Sequence, residues 1–232
     1  MTSKVITLAE KRNEILSIFD KTTDMHIQNG LHSEYCLIQK YWNRPIIDAL
    51  VNHVHAPAGK MMVLGSFLGI TETAMAGCFD EITGVDLENF YPASLLPNNV
   101  KFHKANLDSC SWELPNEFYD VVMMVEVLEH LMWSPISLLK WISKHCSIFA
   151  VTTPDDREWP VLDDLPYMRH THFSTIPPAF EGASGNPEPM KHCKQYTQEE
   201  FIELLSFCGF KLLELKRVGE GGHQMLAICT PR

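Results

Sequence analysis

The sequence predicts an α/β fold, doubly wound around a mostly parallel sheet, with a helical cap in front of it. Two observations carry this. From residue 60 onward, short apolar runs alternate with helical stretches, the pattern of βαβ units. The chain is also long enough and apolar enough, at 232 residues and 45% hydrophobic, to fill one core without a disulfide or structural metal.

The first fifty-odd residues read as helix. Leu8, Ile15, Ile18 and Phe19 recur at helical spacing, as do Tyr35, Ile38, Trp42, Ile46 and Leu50, so residues 1–57 are expected to form the cap and residues 58–232 the main domain. The runs MMVLG, ITGVD, VKFHKA, YDVVMMV and SIFAVTT then predict five buried parallel strands. Helices are expected between them at 70–78, around 90–95 and at 127–144, the last from Leu128, Leu131, Ile136, Leu139, Trp141 and Ile142. Residues 154–192 are rich in Pro, Asp, His and Gly and read as a lid over the site. Thr197 and Glu200 have capping-box spacing for a helix through Leu205 that ends near Gly209. Two closing strands, FKLLELKRV and HQMLAICT, complete a seven-stranded sheet.

Composition narrows the function. Seven cysteines with no C-x-x-C pair fit reduced thiols better than a disulfide framework or zinc knuckle. No secretory leader and no long apolar run is evident, so a soluble, cytoplasmic protein is expected, with no membrane partner. A formal charge of −10 opposes phosphate-backbone binding and disfavours nucleic acid as partner.

The run MMVLGSFLGITE puts Gly65 and Gly69 where a strand turns into a helix, a place where glycine permits close backbone approach to a ligand. Asp86 follows about twenty residues on, at the spacing of a carboxylate that accepts ribose hydroxyls. That spacing suits any nucleoside cofactor, dinucleotides included. With YDVVMMVEVLEHL, whose E-V-L-E-H is the most specific motif of the chain, the sequence resembles the class I, Rossmann-like S-adenosylmethionine-dependent methyltransferases. The resemblance runs from about residue 58 to 154 and resumes in HCKQYTQEEFIELLSFCGFKLLEL. Phe67 replaces the middle glycine of the first motif, Val63 its usual acid, and SKHCS the usual Pro-Gly-Gly turn.

The resemblance implies S-adenosylmethionine as cofactor, held by Gly65, Ser66, Phe67, Gly69, Asp86, Leu87, Asn106, Leu107 and Val125. Asn106 takes the position that faces the adenine. His130, His192 and Glu129 are the candidate catalytic residues; on a helix, Glu126 shares a face with Glu129 and His130, an arrangement that serves either chemistry or the helix dipole. His192, in H-x-x-Q-Y-T, resembles an element of many small-molecule methyltransferases. The set Glu126, Glu129, His130 and His192 also resembles the metal ligands of small-RNA 3′-end 2′-O-methyltransferases, a resemblance that implies magnesium or manganese as a further cofactor.

The expected reaction is O-methylation, or less favoured N-methylation, of a small-molecule acceptor. The alternatives are a metal-dependent RNA 3′-end 2′-O-methyltransferase and a non-catalytic binding protein that kept the fold. His170 and His172 are candidates for the pocket or the lid surface, and Trp159, Tyr167 and Phe173 for packing the lid down. Arg157, Arg169, Lys191 and Lys194 suggest an anionic or neutral metabolite beneath the lid.

Overall fold

The computed structural model describes residues 7–54, 58–92, 95–155, 171–188 and 191–232. Seven strands form one sheet: β1 (Ala58–Leu64), β2 (Phe79–Asp86), β3 (Val100–Lys104), β4 (Tyr119–Met124), β5 (Cys146–Pro154), β6 (Phe210–Val218) and β7 (Gln224–Pro231). Their order is β3-β2-β1-β4-β5-β7-β6. The pairings from β3 through β5 are parallel, and β7 runs antiparallel to both β5 and β6. All seven predicted strands are present.

Alternate residues of each strand feed opposite layers, as a pleated sheet requires. Met61, Val63, Val121, Met123, Leu226 and Ile228 share a core with helices α1 (Leu8–Gln28), α2 (Ser33–Leu50) and α3 (Ile70–Met75). Met62, Leu64, Val122, Met124, Met225 and Ala227 pack on the other face with α4 (Ile136–His145) and α5 (Gln198–Phe207). The N-terminal helices therefore cover one face of the sheet directly. No helix among the described residues is long and apolar enough to cross a membrane, and all seven cysteines are free thiols.

α1 starts at a full capping box: Glu10 N donates to Thr7 Oγ1 at 3.3 Å and Thr7 N to Glu10 Oε2 at 2.9 Å. α2 is rotated relative to its predicted apolar stripe. Cys36, Gln39, Asn43, Ile46, Ile47 and Leu50 are buried while Ile38 is 37% exposed. The polar pair fits inside because Asn43 Nδ2 donates to Gln39 Oε1, and Tyr35 and Trp42 move to the edge of the stripe.

Three expectations change. No helix forms in the described part of 90–95; Asn89 Oδ1 accepts from Tyr91 N at 2.9 Å, an Asx turn that competes with helix. The helix expected at 127–144 begins only at Ile136, after a 3-10 turn at Leu128–His130, because Glu126 is left-handed (φ 51°) and Trp133 N is drawn to Asp108 Oδ1 at 2.9 Å. Glu126, Glu129 and His130 are thus not one helical face. At α5, Thr197 Oγ1 caps Glu200 N at 3.2 Å, but the Glu200 carboxylate does not return the bond; it holds Phe173 N at 2.9 Å and Lys194 Nζ at 2.8 Å.

Candidate active site

A cavity of about 1040 Å³ opens at the carboxyl ends of β1, β2 and β4, beside the point where strand order reverses, as expected for ligand sites in doubly wound sheets. Its volume is at the upper end of the ~300–1,000 Å³ typical of small-molecule sites. The loop leaving β1 forms one wall. Gly65 has φ 73°, and a Cβ there would lie 2.2 Å from Val127 Cγ2, so no side chain fits. Phe67 is left-handed as well, at φ 46°.

Strain of this kind persists only where neighbours hold it. Asp86 does so, its Oδ2 accepting from Phe67 N at 2.9 Å and its Oδ1 from Leu87 N at 2.7 Å. Burial raises the Asp86 pKa and these two bonds oppose the rise. The third left-handed non-glycine among the described residues is His32, whose ring meets Phe67 edge-on at 5.1 Å. Of the residues assigned to the cofactor, Gly65, Phe67, Asp86, Leu87, Asn106, Leu107 and Val125 line the cavity.

Ser66 and Gly69 lie behind that wall instead. Ser66 Oγ bonds Tyr91 Oη at 2.5 Å, and Tyr91 Oη donates to Glu72 Oε1 at 2.8 Å, tying the loop after β2 to the loop after β1. Burial raises the fully buried Glu72 carboxyl to about 7, opposed by the bonds it accepts. The folded state therefore holds a proton that the unfolded chain releases near its ordinary value. This contribution to stability is complete below about pH 4.5 and is lost as pH rises to about 7. Its size is roughly 3 kcal/mol, at ~1.4 kcal/mol per tenfold change in proton affinity. Scanning calorimetry from pH 4 to 8 is expected to show Tm falling with pH, with a shallower fall in Glu72→Gln; an equal slope in both would contradict this.

The opposite wall is built on the turn after β4. Glu126 N donates to Thr152 Oγ1 at 3.0 Å. The main-chain oxygen of Glu129 accepts from Cys193 N at 2.7 Å and Lys194 N at 3.1 Å, which docks the HCK segment and brings His192 beside His130. Their ring centroids are 4.8 Å apart, nearly perpendicular. His130 Nδ1 faces the Lys191 carbonyl oxygen at 3.0 Å, so it carries the proton, and Nε2, the basic nitrogen, lies 3.7 Å from Glu129 Oε1. Donor atoms of Glu129, His130 and His192 all lie within 4.8 Å of one another; Glu126 is outside that trio but lines the same cavity. Burial raises both the Glu126 and the Glu129 carboxyl, and the Glu126 charge raises Glu129 further.

The sequence reading missed several lining residues. Tyr35 and Trp42 looked like helix core because their spacing is that of a stripe. Asn186 connects the walls: its N donates to Asp108 Oδ2 at 2.8 Å, and its Nδ2 to the carbonyls of Lys191 at 2.9 Å and His130 at 3.2 Å. No periodicity announces such a residue; only its place in an irregular segment does.

Ser184 to Pro187 line the cavity as well. Phe173 is buried in the core, whereas His172 lies outside the lining, with Nε2 3.5 Å from Glu203. Lys191 pairs with Glu188 at 2.9 Å and Lys194 with Glu200 at 2.8 Å, and neither lines the cavity. Arg157, Trp159, Tyr167, Arg169 and His170 lie outside the described residues.

Residues 59–215 match the family described as "Methyltransferase domain". No curated protein matches the sequence. Among solved structures, 1,6-didemethyltoxoflavin-N1-methyltransferase from Burkholderia thailandensis superposes with TM-score 0.61 at 15% identity, over 100% of this chain and 93% of that one. A methyltransferase from Haloferax volcanii, solved with the Trm112 activator, gives 0.55 at 11% identity, over 75% and 82%. A SAM-dependent methyltransferase from Aquifex aeolicus gives 0.54 at 13%, over 84% and 92%. At such identities the structural likeness speaks for the fold, while the family match spans most of the chain: it belongs to the methyltransferase-domain family and is a class I, Rossmann-like S-adenosylmethionine-dependent methyltransferase.

Proposed function

We propose that the chain transfers the methyl group of S-adenosylmethionine to an oxygen of a small-molecule acceptor. The observation that carries this is one cavity shared by a carboxylate at the nucleoside position, Asp86, and an imidazole pair, His130 and His192. The acceptor oxygen attacks the methyl carbon as the carbon–sulfur bond breaks, the sulfur keeps the electron pair, and the hydroxyl proton passes to a base. His130 Nε2, with its tautomer fixed by the Lys191 carbonyl, and His192 are the candidates. The structure related over the full chain length is named an N1-methyltransferase and holds bound 1,6-didemethyltoxoflavin, which supports a small acceptor and keeps nitrogen as the alternative atom.

A second reading is favoured by the convergence of Glu129, His130 and His192. A carboxylate with two imidazoles suits a divalent ion, which when bound supplies charge stabilisation to an acceptor oxygen. An RNA end is the less supported acceptor, since it needs several cationic phosphate contacts and no Lys or Arg lines the cavity among the described residues.

Transfer of label from methyl-tritiated S-adenosylmethionine into a fractionated metabolite extract tests the proposal. Label is expected in small molecules, independent of chelator. Incorporation only into RNA 3′ ends, restored by magnesium or manganese after chelation, would overturn the first reading in favour of the second.

A further inference from the structure

The cavity carries more acid than a nucleoside requires. Asp86, Glu88, Asp108, Glu126 and Glu129 line it, with no Lys or Arg among the described lining residues. Asp86 and Asp108 are each engaged by two backbone N–H groups. The other buried pair is not satisfied in this way. Glu129 is fully buried; its Oε2 accepts from Thr153 Oγ1 at 3.4 Å and its carboxyl shares a hydrogen bond with that of Glu126, while Oε1 of each has no other donor among the described residues. A buried acid pair that shares one bond is still short of donors, and a ligand donor supplies them.

Facing these carboxyls are rings. Tyr35 meets Phe67 at 4.6 Å and Trp42 at 6.1 Å, with interplanar angles of 66° and 78°, and all three line the cavity. Aromatic rings and acidic groups lining one cavity make the surroundings that bind organic cations. Tyr35 also sits within the field of Asp86, Glu126 and Glu129: burial first, then those charges, push its hydroxyl up to about 12, against a bond with Gln39.

We infer that the methyl acceptor carries a positively charged nitrogen, seated between the rings of Tyr35, Trp42 and Phe67 and the carboxyls of Glu126 and Glu129. This rests on the methyltransferase reading and narrows its substrate class to organic cations. The donor is itself a sulfonium, so a cationic acceptor beside it needs nearby carboxylates to offset the repulsion. An anionic acceptor finds no Lys or Arg among the described lining residues. The expectation of an anionic metabolite relied on four basic residues, of which Lys191 and Lys194 are turned to Glu188 and Glu200.

The test is calorimetry on the full chain saturated with S-adenosylhomocysteine, in chelator so that no divalent ion competes. The probes are 3-hydroxyphenyltrimethylammonium, its neutral isostere 3-tert-butylphenol, and 3-hydroxybenzoate. The ammonium probe is expected to bind at least tenfold tighter than the phenol, with the benzoate weakest. Glu126→Gln is expected to shrink the ammonium-over-phenol preference at least threefold; should that variant not fold, Trp42→Leu reads the same preference from the aromatic side. Absence of an ammonium preference in the wild type, including no binding of any probe, overturns the inference. Failure to bind S-adenosylhomocysteine sinks the methyltransferase reading instead, and the probe series without it still scores the cation.

Discussion

Asp86→Ala is expected to weaken S-adenosylhomocysteine binding by roughly 10- to 150-fold, the ~1.5–3 kcal/mol of charge-assisted hydrogen bonds. Two losses combine. The proposed ribose contact disappears, and the left-handed Phe67 loop loses the oxygen that holds its N–H at 2.9 Å. Asp86→Asn is expected to fall between wild type and alanine, because one oxygen remains to accept from a backbone N–H while the amide NH2 has no acceptor there. Isothermal calorimetry reads the affinities, and a thermal melt by circular dichroism confirms that each variant is folded. Wild-type affinity in Asp86→Ala would move the nucleoside elsewhere in the cavity.

His192→Ala and His130→Ala are each expected to lower kcat by roughly 10²- to 10⁴-fold, the range of a positioned general base, with cofactor affinity within about threefold of wild type. Both imidazoles are proposed to act on the acceptor and not on the cofactor, so the split between turnover and cofactor binding is the informative readout. Steady-state kinetics with each purified variant measures it. An equal fall in affinity and turnover would assign the histidines to packing, and near-normal turnover in both would leave proton removal to Glu129 or to solvent.

The strands were legible because a sheet covered on both faces demands nearly continuous apolar runs, and YDVVMMV and SIFAVTT are such runs. The glycine loop and Asp86 were legible for a related reason: a backbone that no Cβ fits and a carboxylate after the neighbouring strand leave marks of residue type and spacing.

The turn after β4 was not legible. E-V-L-E-H has helical apolar spacing, yet left-handed Glu126 and the pull of Asp108 on Trp133 N, both tertiary effects, delay the helix to Ile136. Tyr35 and Trp42 were hidden differently, since an aromatic at helical spacing reads as core whether it faces a sheet or a ligand. Gln39 and Asn43, buried on the true stripe and bonded to each other, hid it further, because polar residues at helical spacing read as a solvated face.

A crystal structure of the chain with S-adenosylhomocysteine tests the central claim most directly. The ribose hydroxyls are predicted within hydrogen-bond distance of the Asp86 carboxylate, the adenine beside Asn106 and Leu107, and the sulfur turned toward the side of the cavity lined by Glu129, His130 and His192. A nucleoside bound away from Asp86, or a sulfur directed away from both imidazoles, would contradict the account.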